Sequence, residues 1–569
     1  MPGDSTNVNN KAKSQNTYDA IVVGSGISGG WAAKELCEKG LKTLVLERGR
    51  NVEHLKDYPT TNMAPWELLH RNRHSKKQKE DQYIQVRGFC NEANSHFYVN
   101  DKDHPYVQTK PFDWIRGYHV GGRSLMWGRQ CYRWSDLDFE ANAKESIGAD
   151  WPIRYRDIAP WYGYVERFVG ISGSKEGLPQ LPDGEFLPPM EMNCLEKHIA
   201  ENIKKNYTDR RMIIGRVANL SRGWNGRGPC QYRNMCDRGC PFGGYFSSNS
   251  ATLPVALVTG NLTLRPHAIV MEVLYDKDKK KATGVRIIDE QTMKTEEYFA
   301  RIIFLNASAL GSTYIMLNSK SDAFPNGLGN GSDQLGRNLM DHHYHVGASA
   351  TYEGFKDQYT YGRRPNGIYV PRFRNIDEKT KQKDYLRGFG YQGGAVRNRA
   401  GQGDGIGAEL KESLTELGDW TMWIGGWGEH LPYEDNRVTL SKDKKDKWGL
   451  PLLEIDCVFK ENEKAMRKDM MNSAAEIMEK AGLKNINTFD DPEANPGLCI
   501  HEMGTARMGN DPKTSVLNKW NQVHEAKNVF NTDGACMTSS ANQNPSVTYM
   551  ALTARACDYA VSEMKKGNL

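Results

Sequence analysis

The hydrophobic pattern near the start of the chain predicts a strand, a helix and a second strand in close succession. Residues 20–23 form a short apolar run that is typical of a buried parallel strand. Residues 31–39 follow as a predicted helix that Gly40 ends, and residues 41–46 form a second apolar strand with Glu47 at its end. This order predicts a β-α-β unit.

The rest of the chain predicts further elements around that unit. Residues 50–110 are polar and aromatic without a clear period, which suits a long excursion rather than a new domain. Residues 340–455 alternate aromatic and polar positions between glycine-rich turns, which predicts a second domain on a mainly antiparallel sheet. Helices are predicted at 158–169, 194–206, 250–258, 461–481 and 546–564, and strands at 262–265, 270–275, 284–288, 300–305 and 529–533.

Three glycines stand between the first predicted strand and its helix. Gly24, Gly26 and Gly29 have the Gly-x-Gly-x-x-Gly spacing, which allows a tight turn, a close approach to a pyrophosphate, and close packing of helix on strand. The pyrophosphate would lie at the helix N-terminus, and Glu47 can accept hydrogen bonds from a ribose. Glu47, rather than an Arg or Lys at this position, argues against a cofactor with a 2′-phosphate on its ribose. The alternative is a chance glycine turn.

Composition narrows the function classes only modestly. The chain has 569 residues, enough for two to four domains, and a net charge of +5, too small for its size to indicate a nucleic-acid partner. The basic stretches 71–79 and 277–281 are interpreted as solvated loop faces. No run of 18 apolar residues exists, so no membrane span is expected. Residues 1–16 are polar, lack a signal-peptide pattern, and are expected to be a disordered tail.

Several separated stretches resemble the glucose–methanol–choline (GMC) flavoprotein oxidoreductases. The resemblance implies an α/β fold with a Rossmann-type FAD-binding domain and a second α+β substrate domain, and alcohol oxidation as the chemistry. The expected segments are 17–335, which includes a cysteine-rich loop at 228–245, then 336–490 as the substrate domain, and 491–569 as a return to the FAD-binding domain. The stretches that carry the resemblance are 24–29 with Glu47, 121–124, 268–273, 307–312, 335–342, 436–440, 448–451, 501–509, 531–534 and 542–546.

The resemblance also assigns roles to single residues. His501 resembles the family's catalytic base and Asn544 its partner, in agreement with the need for a group that takes the hydroxyl proton while hydride leaves. Residues 342, 343 and 345 are histidines that invite a metal interpretation, but a structural role is preferred. The implied cofactor contacts are Gly24, Gly26, Gly29, Glu47, Arg48, Gly121, Gly122, Arg123, Ser124, Val270, Asp533, Gly534, Asn544 and Pro545.

The mode of FAD attachment is predicted from one departure. Some relatives bind FAD covalently through a His directly before the Trp of the Gly-Gly loop, whereas this chain has Met126 before Trp127. A thioether cannot form that bond, so non-covalent FAD is expected.

Three of the eleven cysteines cluster, as Cys230, Cys236 and Cys240. Three thiolates without an obvious fourth ligand suit a [3Fe–4S] cluster, whereas four would suit zinc or [4Fe–4S]. His267 or Asp237 is a possible further ligand, and three unliganded thiols are the alternative. The spacing resembles that of the large subunits of bacterial gluconate, glucose and glucoside dehydrogenases.

That branch implies partners and a location. The large subunit is exported with a small subunit that carries a twin-arginine signal, and electrons pass to a cytochrome c or another acceptor. The expected location is therefore the periplasm, with the cytoplasm as the alternative. Residues 1–16 do not decide between the two.

The resemblance favours a pyranose or glycoside as substrate. Oxidation of glucosides at C3 to 3-keto sugars is preferred, with glucose C1 or gluconate as alternatives. Gln392, Trp423, Trp427 and Glu429 are the candidate substrate contacts, although core packing is the commoner fate of such Trp residues. The competing hypotheses are an oxidase that uses oxygen, a non-catalytic flavoprotein, and an NAD-dependent enzyme.

Overall fold

The computed structural model describes residues 16–359, 365–399 and 406–569; residues 1–15 of the expected disordered tail lie outside this range. The strands are β1 Thr17–Val23, β2 Thr43–Leu46, β3 Val107–Gln108, β4 Ile171–Ser172, β5 Phe186–Leu187, β6 Ile213–Ile214, β7 Leu262–Arg265, β8 Ala268–Asp276, β9 Lys281–Asp289, β10 Thr295–Leu305, β11 Val346–Tyr352, β12 Ile368–Val370, β13 Phe389–Arg399, β14 Leu417–Gly428, β15 Arg437–Lys445, β16 Pro451–Asp456, β17 Lys484–Asp490, β18 Gln522–Val523 and β19 Ala526–Asn531. The helices are α1 Ile27–Glu38, α2 Lys76–Asp81, α3 Asp136–Phe139, α4 Ala141–Glu145, α5 Tyr155–Val169, α6 Cys194–Asn206, α7 Thr252–Val258, α8 Ala309–Asn318, α9 Ala408–Ser413, α10 Glu461–Lys480 and α11 Ser546–Lys565.

A mainly parallel sheet forms the first layer. Its order is β18-β19-β10-β1-β2-β7, and β19, β10, β1, β2 and β7 all run parallel. The predicted β-α-β unit is therefore confirmed. Strand β10 begins as the antiparallel partner of β9 and then continues beside β1. The strand opens with Thr295, Glu296 and Glu297, and only its second half has an apolar run. This explains why the sequence predicted just that half.

A second sheet of six antiparallel strands has the order β17-β11-β14-β13-β12-β6. The predicted antiparallel sheet is confirmed, with one correction to its extent. Strands β15 and β16 lie at the end of the 340–455 region, but they form a separate three-stranded sheet with β3. The domain boundaries proposed from the sequence stay predictions.

Helices cover both sheets and create the cores. Helix α1 buries Trp31, Ala32 and Leu36, and it packs between the parallel sheet and α11. Helix α10 packs its buried face, which includes Met466 and Met470, on the antiparallel sheet. Burial of such apolar side chains is the main stabilising term of each layer. No helix within the described residues is long and apolar enough to cross a bilayer.

The topology places one end of the parallel sheet opposite one face of the antiparallel sheet. Gly24, Glu47 and Asn306 directly follow β1, β2 and β10, and Asp533 is the second residue after β19. The carboxyl ends of parallel strands are where open α/β sheets bind ligands. Residues of β13 and β14 border the same cavity from the other side.

Candidate active site

Only glycine fits at two positions at the junction of β1 and α1, one in the turn and one in the first turn of the helix. Gly24 has a φ of +93°, and a Cβ there would lie 2.4 Å from the carbonyl oxygen of Asn306. A Cβ on Gly29 would lie 1.9 Å from the carbonyl oxygen of Gly24. Gly26, in contrast, borders the cavity, and a Cβ there would have no protein atom within 4 Å. The space beside Gly26 is thus open to a pyrophosphate.

This difference yields a paired prediction. Gly26→Ala is expected to leave the melting temperature of the apoprotein unchanged and to weaken FAD binding by about tenfold or more, equivalent to about 1.4 kcal/mol. Gly29→Ala is expected to destabilise the fold itself by about 1–3 kcal/mol, because its methyl group collides with backbone. Thermal unfolding of the apoproteins and FAD titration separate the two effects. Equal melting temperatures for both variants would contradict this assignment.

Glu47 connects the second strand to the glycine turn. Its Oε2 accepts hydrogen bonds from Ser25 Oγ at 2.5 Å and Ser25 N at 3.1 Å, and its Oε1 accepts one from Gly49 N at 3.1 Å. Burial raises the pKa of Glu47, although these bonds oppose the shift. The neighbouring Arg48 guanidinium lies over the rings of Tyr118 and Trp448, at 4.7 and 4.9 Å. Both Glu47 and Arg48 border the cavity, as a ribose contact requires.

The Gly-Gly loop forms a short 3₁₀ helix over Gly122–Leu125. Gly121 has a φ of +90° and donates its N–H to Ser25 Oγ at 2.9 Å, which joins this loop to the first turn. Arg123 donates to Glu502 and to Ser308, both at 2.8 Å. Ser124 Oγ donates to the carbonyl of Gly121, so its hydroxyl mainly shapes the loop. The residues of this segment that border the same cavity are Gly122, Arg123, Ser124 and Met126.

Of the remaining predicted cofactor residues, some border the cavity and one has a structural position only. Asp533 accepts hydrogen bonds from Ala535 N at 2.9 Å and Ser312 Oγ at 2.6 Å, and burial raises its pKa to about 6. Asp533, Gly534 and Val270 border the cavity. Pro545 does not border it; this residue precedes α11 and sets the start of that helix.

The cavity as a whole fits a dinucleotide with an attached ring system. Its volume is about 440 Å³, and it runs from Val270 and Arg48 past the glycine turn to His501. Buried polar atoms on its lining that have no partner within the described residues include Arg48 Nε, Asn306 Nδ2 and the Tyr549 hydroxyl. Buried polar groups are normally satisfied, so these atoms fit contacts with a polar cofactor such as FAD.

His501 and Asn544 come together at the end of this cavity. Asn544 Nδ2 lies 3.4 Å from His501 Nε2, and Asn544 Oδ1 accepts a 2.8 Å hydrogen bond from Gln392 Nε2. Gln392 therefore fixes the orientation of the Asn544 amide, with its NH₂ group toward His501. All three side chains border the cavity.

His342 determines which nitrogen of His501 carries the proton. The Nε2 of His342 faces the carbonyl oxygen of Ala541 and must donate to it. Burial lowers the pKa of His342 to about 4, so its ring is neutral and its Nδ1 is an acceptor. His501 Nδ1 lies 2.8 Å away and must donate to that acceptor. The lone pair of His501 is thereby placed on Nε2, beside Asn544.

The charge state of His501 also suits a role as general base. Burial, with smaller contributions from His342 and Arg123, lowers the pKa of His501 well below its ordinary value. The imidazole is therefore neutral around pH 7, and its Nε2 is free to accept a proton.

Asp341 holds the loop that carries His501. Its Oδ1 accepts hydrogen bonds from the backbone N–H groups of His342 and His501, both at 2.9 Å. Its Oδ2 accepts those of Gly497 at 2.8 Å and Cys499 at 3.2 Å. Burial, with a contribution from Glu502, raises the pKa of this carboxyl to about 7. Asp341 was not predicted as a site residue, because a buried carboxylate that accepts four N–H groups has no signature in sequence spacing.

The other two histidines of the 342–345 segment do not reach the site. His343 is fully buried against Gly428 and the ring of Phe459. His345 pairs with Asp491 at 3.3 Å near the surface. Of the three, His342 alone contacts His501, and its orienting contact was missed because the two residues are 159 positions apart.

The candidate substrate residues separate into two groups. Trp423 and Trp427 of β14 lie on either side of Gly425, and Gln392 of β13 is paired with Gly425 across the sheet, so all three share the face toward the cavity. Glu429 is not on the cavity lining of the described residues. It is fully buried in an ion pair with Arg372 at 2.8 Å, so the prediction that it contacts substrate does not fit its position.

The three clustered thiols border one small cavity of about 30 Å³. Cys230 Sγ accepts a hydrogen bond from Tyr232 N at 3.4 Å, and Cys240 Sγ accepts one from Gly244 N at 3.3 Å. Burial raises the pKa of Cys230 to about 11. Neither proposed extra ligand borders this cavity: Asp237 accepts hydrogen bonds from Asn91 and Asn94, and His267 pairs with Glu290.

The thiol cavity is connected to the main cavity by a hydrogen bond and a cation–π contact, both made by Tyr245. Tyr245 borders the thiol cavity and donates its hydroxyl to the carbonyl of Leu125 at 2.9 Å, in the Gly-Gly loop. The Arg129 guanidinium lies 5.1 Å from the Tyr245 ring, and Arg129 itself borders the main cavity. The two sites are thus neighbours in the fold.

The chain is similar to known proteins over nearly its whole length. It is 29% identical over 568 residues to 2-methyl-1,2-propanediol dehydrogenase of Mycolicibacterium austroafricanum, which covers 95% of this chain and 94% of that protein. It is 25% identical over 577 residues to the fructose dehydrogenase large subunit of Gluconobacter japonicus, with 96% and 98% covered. The fold is similar to the crystal structure of pyridoxine 4-oxidase from Mesorbium loti, with a TM-score of 0.60, 15% identity, and 95% and 98% covered.

Two family models, both described as GMC oxidoreductase, match residues 18–344 and 432–553. The first alone spans more than half of the chain, and the resemblance predicted from the sequence is confirmed. The protein therefore belongs to the GMC oxidoreductase family, whose members act on CH–OH groups.

Proposed function

We propose that the protein is an FAD-dependent dehydrogenase that oxidises a sugar hydroxyl, preferably C3 of a glucoside, to the ketone. The observation that carries the proposal is the pair of His342 contacts that leaves His501 Nε2 as an acceptor at the end of a dinucleotide-sized cavity. A base at this position, close to where the cofactor ring would lie, is what removal of hydride from an alcohol requires.

The chain's own residues would bind the hydroxyl and take its proton. A substrate oxygen placed between His501 Nε2 and Asn544 Nδ2 would donate to the first and accept from the second. As the proton moves to Nε2, His501 becomes cationic, and its Nδ1–H keeps its hydrogen bond to neutral His342. FAD, when bound, supplies the acceptor for the hydride that leaves the carbinol carbon. The low pKa of His501 favours return of the proton to solvent.

Because the pKa of His501 is low, we assign the expected fall in the rate of flavin reduction at acid pH, the acid limb of the pH profile, to Asp341 instead. His501 stays neutral well below pH 6.5, whereas Asp341 gains its proton as the pH falls through about 7. The neutral carboxyl accepts the four loop N–H groups less strongly, so we expect the rate of flavin reduction to fall below pH 7. Asp341→Asn should be slower than the wild type and should lose this limb. A limb that remains in Asp341→Asn would contradict the assignment.

A sugar is supported by the aromatic wall of the cavity. Trp423, whose exposed fraction is 39%, and Trp427 can stack on the apolar face of a pyranose, and Tyr344 packs against Trp427 at 5.7 Å. Stacking on aromatic faces with hydrogen bonds at the ring edge is how such pockets combine apolar contact and specificity. The relatives named for fructose and for a small diol support an alcohol of this general kind.

We further propose that Cys230, Cys236 and Cys240 hold a [3Fe–4S] cluster. The three thiols border one cavity, backbone N–H groups donate to two of the sulfurs, and neither Asp237 nor His267 borders that cavity. Such a group, when bound, supplies single-electron transfer to an outside acceptor. Its neighbour Tyr245 contacts the Gly-Gly loop, which supports a short distance to the flavin.

The surface around the thiols supports a protein partner. Trp66, Tyr232 and Phe242 are exposed there, and the segment of Trp66 is joined to the thiol loop through bonds from Arg233 to Thr61 and from Arg238 to Met63. The adjoining stretch 71–79 is basic. We propose a small subunit with a twin-arginine signal and an acidic acceptor such as a cytochrome c, which would place the protein in the periplasm. The name of the fructose dehydrogenase relative as a large subunit agrees with such a complex.

Product and acceptor analysis tests this proposal. The purified protein would be incubated with methyl glucoside, glucose, gluconate, fructose or 2-methyl-1,2-propanediol, with ferricyanide or with oxygen alone. We expect a 3-keto glucoside by NMR, formed with ferricyanide and with little peroxide. Fast peroxide formation without an added acceptor would favour an oxidase. Turnover of the diol but of no sugar would replace the sugar assignment.

A further inference from the structure

Three potential metal ligands converge at the inner end of the catalytic site. His342 Nδ1 and His501 Nδ1 are 2.8 Å apart, and Cys499 Sγ lies 3.4 Å from His501 Nδ1. All three ligand atoms lie within 4.8 Å of one another, and His342 and Cys499 are buried. Imidazole nitrogen and thiolate sulfur are the donors that zinc and similar borderline-soft cations prefer.

The observed separations are close to those of a tetrahedral site. With zinc–nitrogen bonds of about 2.0–2.1 Å and a zinc–sulfur bond of about 2.3 Å, two nitrogens lie about 3.3 Å apart and nitrogen and sulfur about 3.6 Å apart. The 2.8 and 3.4 Å contacts are shorter than these separations, so the rings must turn apart to admit the ion. Cys499 and His501 border the main cavity, which leaves room for a water molecule as the fourth ligand.

The hydrogen bonds around the triad already suit one of its members. The Nε2–H of His342 is held by the Ala541 carbonyl, so its Nδ1 already carries a lone pair that faces His501. Fixing a ligand's tautomer by a bond to its other nitrogen is the usual arrangement around metal-binding histidines.

We propose that His342, Cys499 and His501 bind Zn²⁺ or a similar borderline-soft cation, and that this ion reversibly blocks the enzyme. Binding through His501 Nδ1 moves the proton of that nitrogen to Nε2, and the Cys499 thiol loses its proton to solvent. One proton is released in total, and no group is oxidised or reduced. Nε2 then carries hydrogen and cannot accept the substrate proton. The block, unlike the metal site itself, rests on the proposed role of His501.

The experiment measures zinc binding and flavin reduction separately in the holoenzyme. Isothermal titration calorimetry gives the affinity of the holoenzyme for Zn²⁺. The rate of anaerobic flavin reduction by the best substrate measures the inhibition, and this rate does not depend on electron exit through the thiol loop. Each variant is compared with itself before zinc, after zinc and after EDTA. The variants are Cys499→Ala and, as a matched buried thiol outside the site, Cys557→Ala. Mg²⁺, which prefers oxygen ligands, serves as the control ion.

We expect Zn²⁺, but not Mg²⁺, to suppress flavin reduction in the wild type and in Cys557→Ala, with recovery after EDTA. In Cys499→Ala the zinc concentration for half-suppression should rise by at least about tenfold, and the corresponding binding event should weaken equally. Equal zinc affinity in Cys499→Ala and wild type would overturn the metal site. Binding that depends on Cys499 but leaves flavin reduction unchanged would confirm the metal site and contradict His501 as the base.

Discussion

Replacing His501 with alanine is expected to slow substrate-dependent flavin reduction by about 10²- to 10⁴-fold, the usual contribution of a positioned general base. FAD binding should persist, because the glycine turn and Arg48 border the same cavity but, within the described residues, are not hydrogen-bonded to the His501 side chain. Anaerobic stopped-flow absorbance at the flavin band measures the rate, and the same spectrum measures the bound flavin.

His345 provides the matched control. It lies in the same segment as His342 but pairs with Asp491 near the surface and does not border the cavity. Its φ is +60°, so asparagine, which tolerates this conformation, is the suitable replacement. His345→Asn should reduce flavin at close to the wild-type rate. A His501→Ala enzyme as fast as His345→Asn would show that another group takes the proton.

The second large effect is expected at the thiol loop. Cys236→Ser should lower turnover with an outside one-electron acceptor by about 10- to 100-fold, because loss of a metal-site ligand impairs the group that it holds. Flavin reduction by the substrate should be unchanged, since Cys236 borders the separate small cavity. Iron content measures whether the cluster is retained. The ratio of turnover to flavin-reduction rate measures how well electrons leave the reduced flavin.

A thiol outside the loop controls for general damage by the substitution. Cys194 is a partly exposed free thiol at the start of α6, and Cys194→Ser should change neither rate. If Cys236→Ser kept its iron and its turnover, the thiol loop would not be the route by which electrons leave.

The first part of the site was predictable because its constraints are local. A turn that holds a pyrophosphate needs glycine at fixed spacing, and both Gly24 and Gly29 have positions that only glycine can occupy. The acid after the second strand follows from the same β-α-β geometry. Such features lie within about thirty residues of one another and leave their pattern in the sequence.

The catalytic end was only partly predictable, because its contacts join distant segments. The Nδ1–Nδ1 contact of His342 with His501, and the four N–H groups on Asp341, depend on where loops meet after folding. Glu429 shows the limit of alternation as a guide. Counting in twos along β14 places it on the face of Trp427, but the strand ends at Gly428 and the side chain turns into a buried ion pair.

In the proposed function, a sugar hydroxyl reduces the enzyme's FAD, and the electrons pass on to an iron–sulfur group. The anaerobic absorption spectrum of the purified protein, before and after methyl glucoside, tests it most directly. We expect flavin peaks on a broad iron–sulfur absorbance, with both bleached by the sugar. A flavin spectrum without the broad absorbance would contradict the cluster, and peaks that no sugar bleaches would contradict the proposed substrate class.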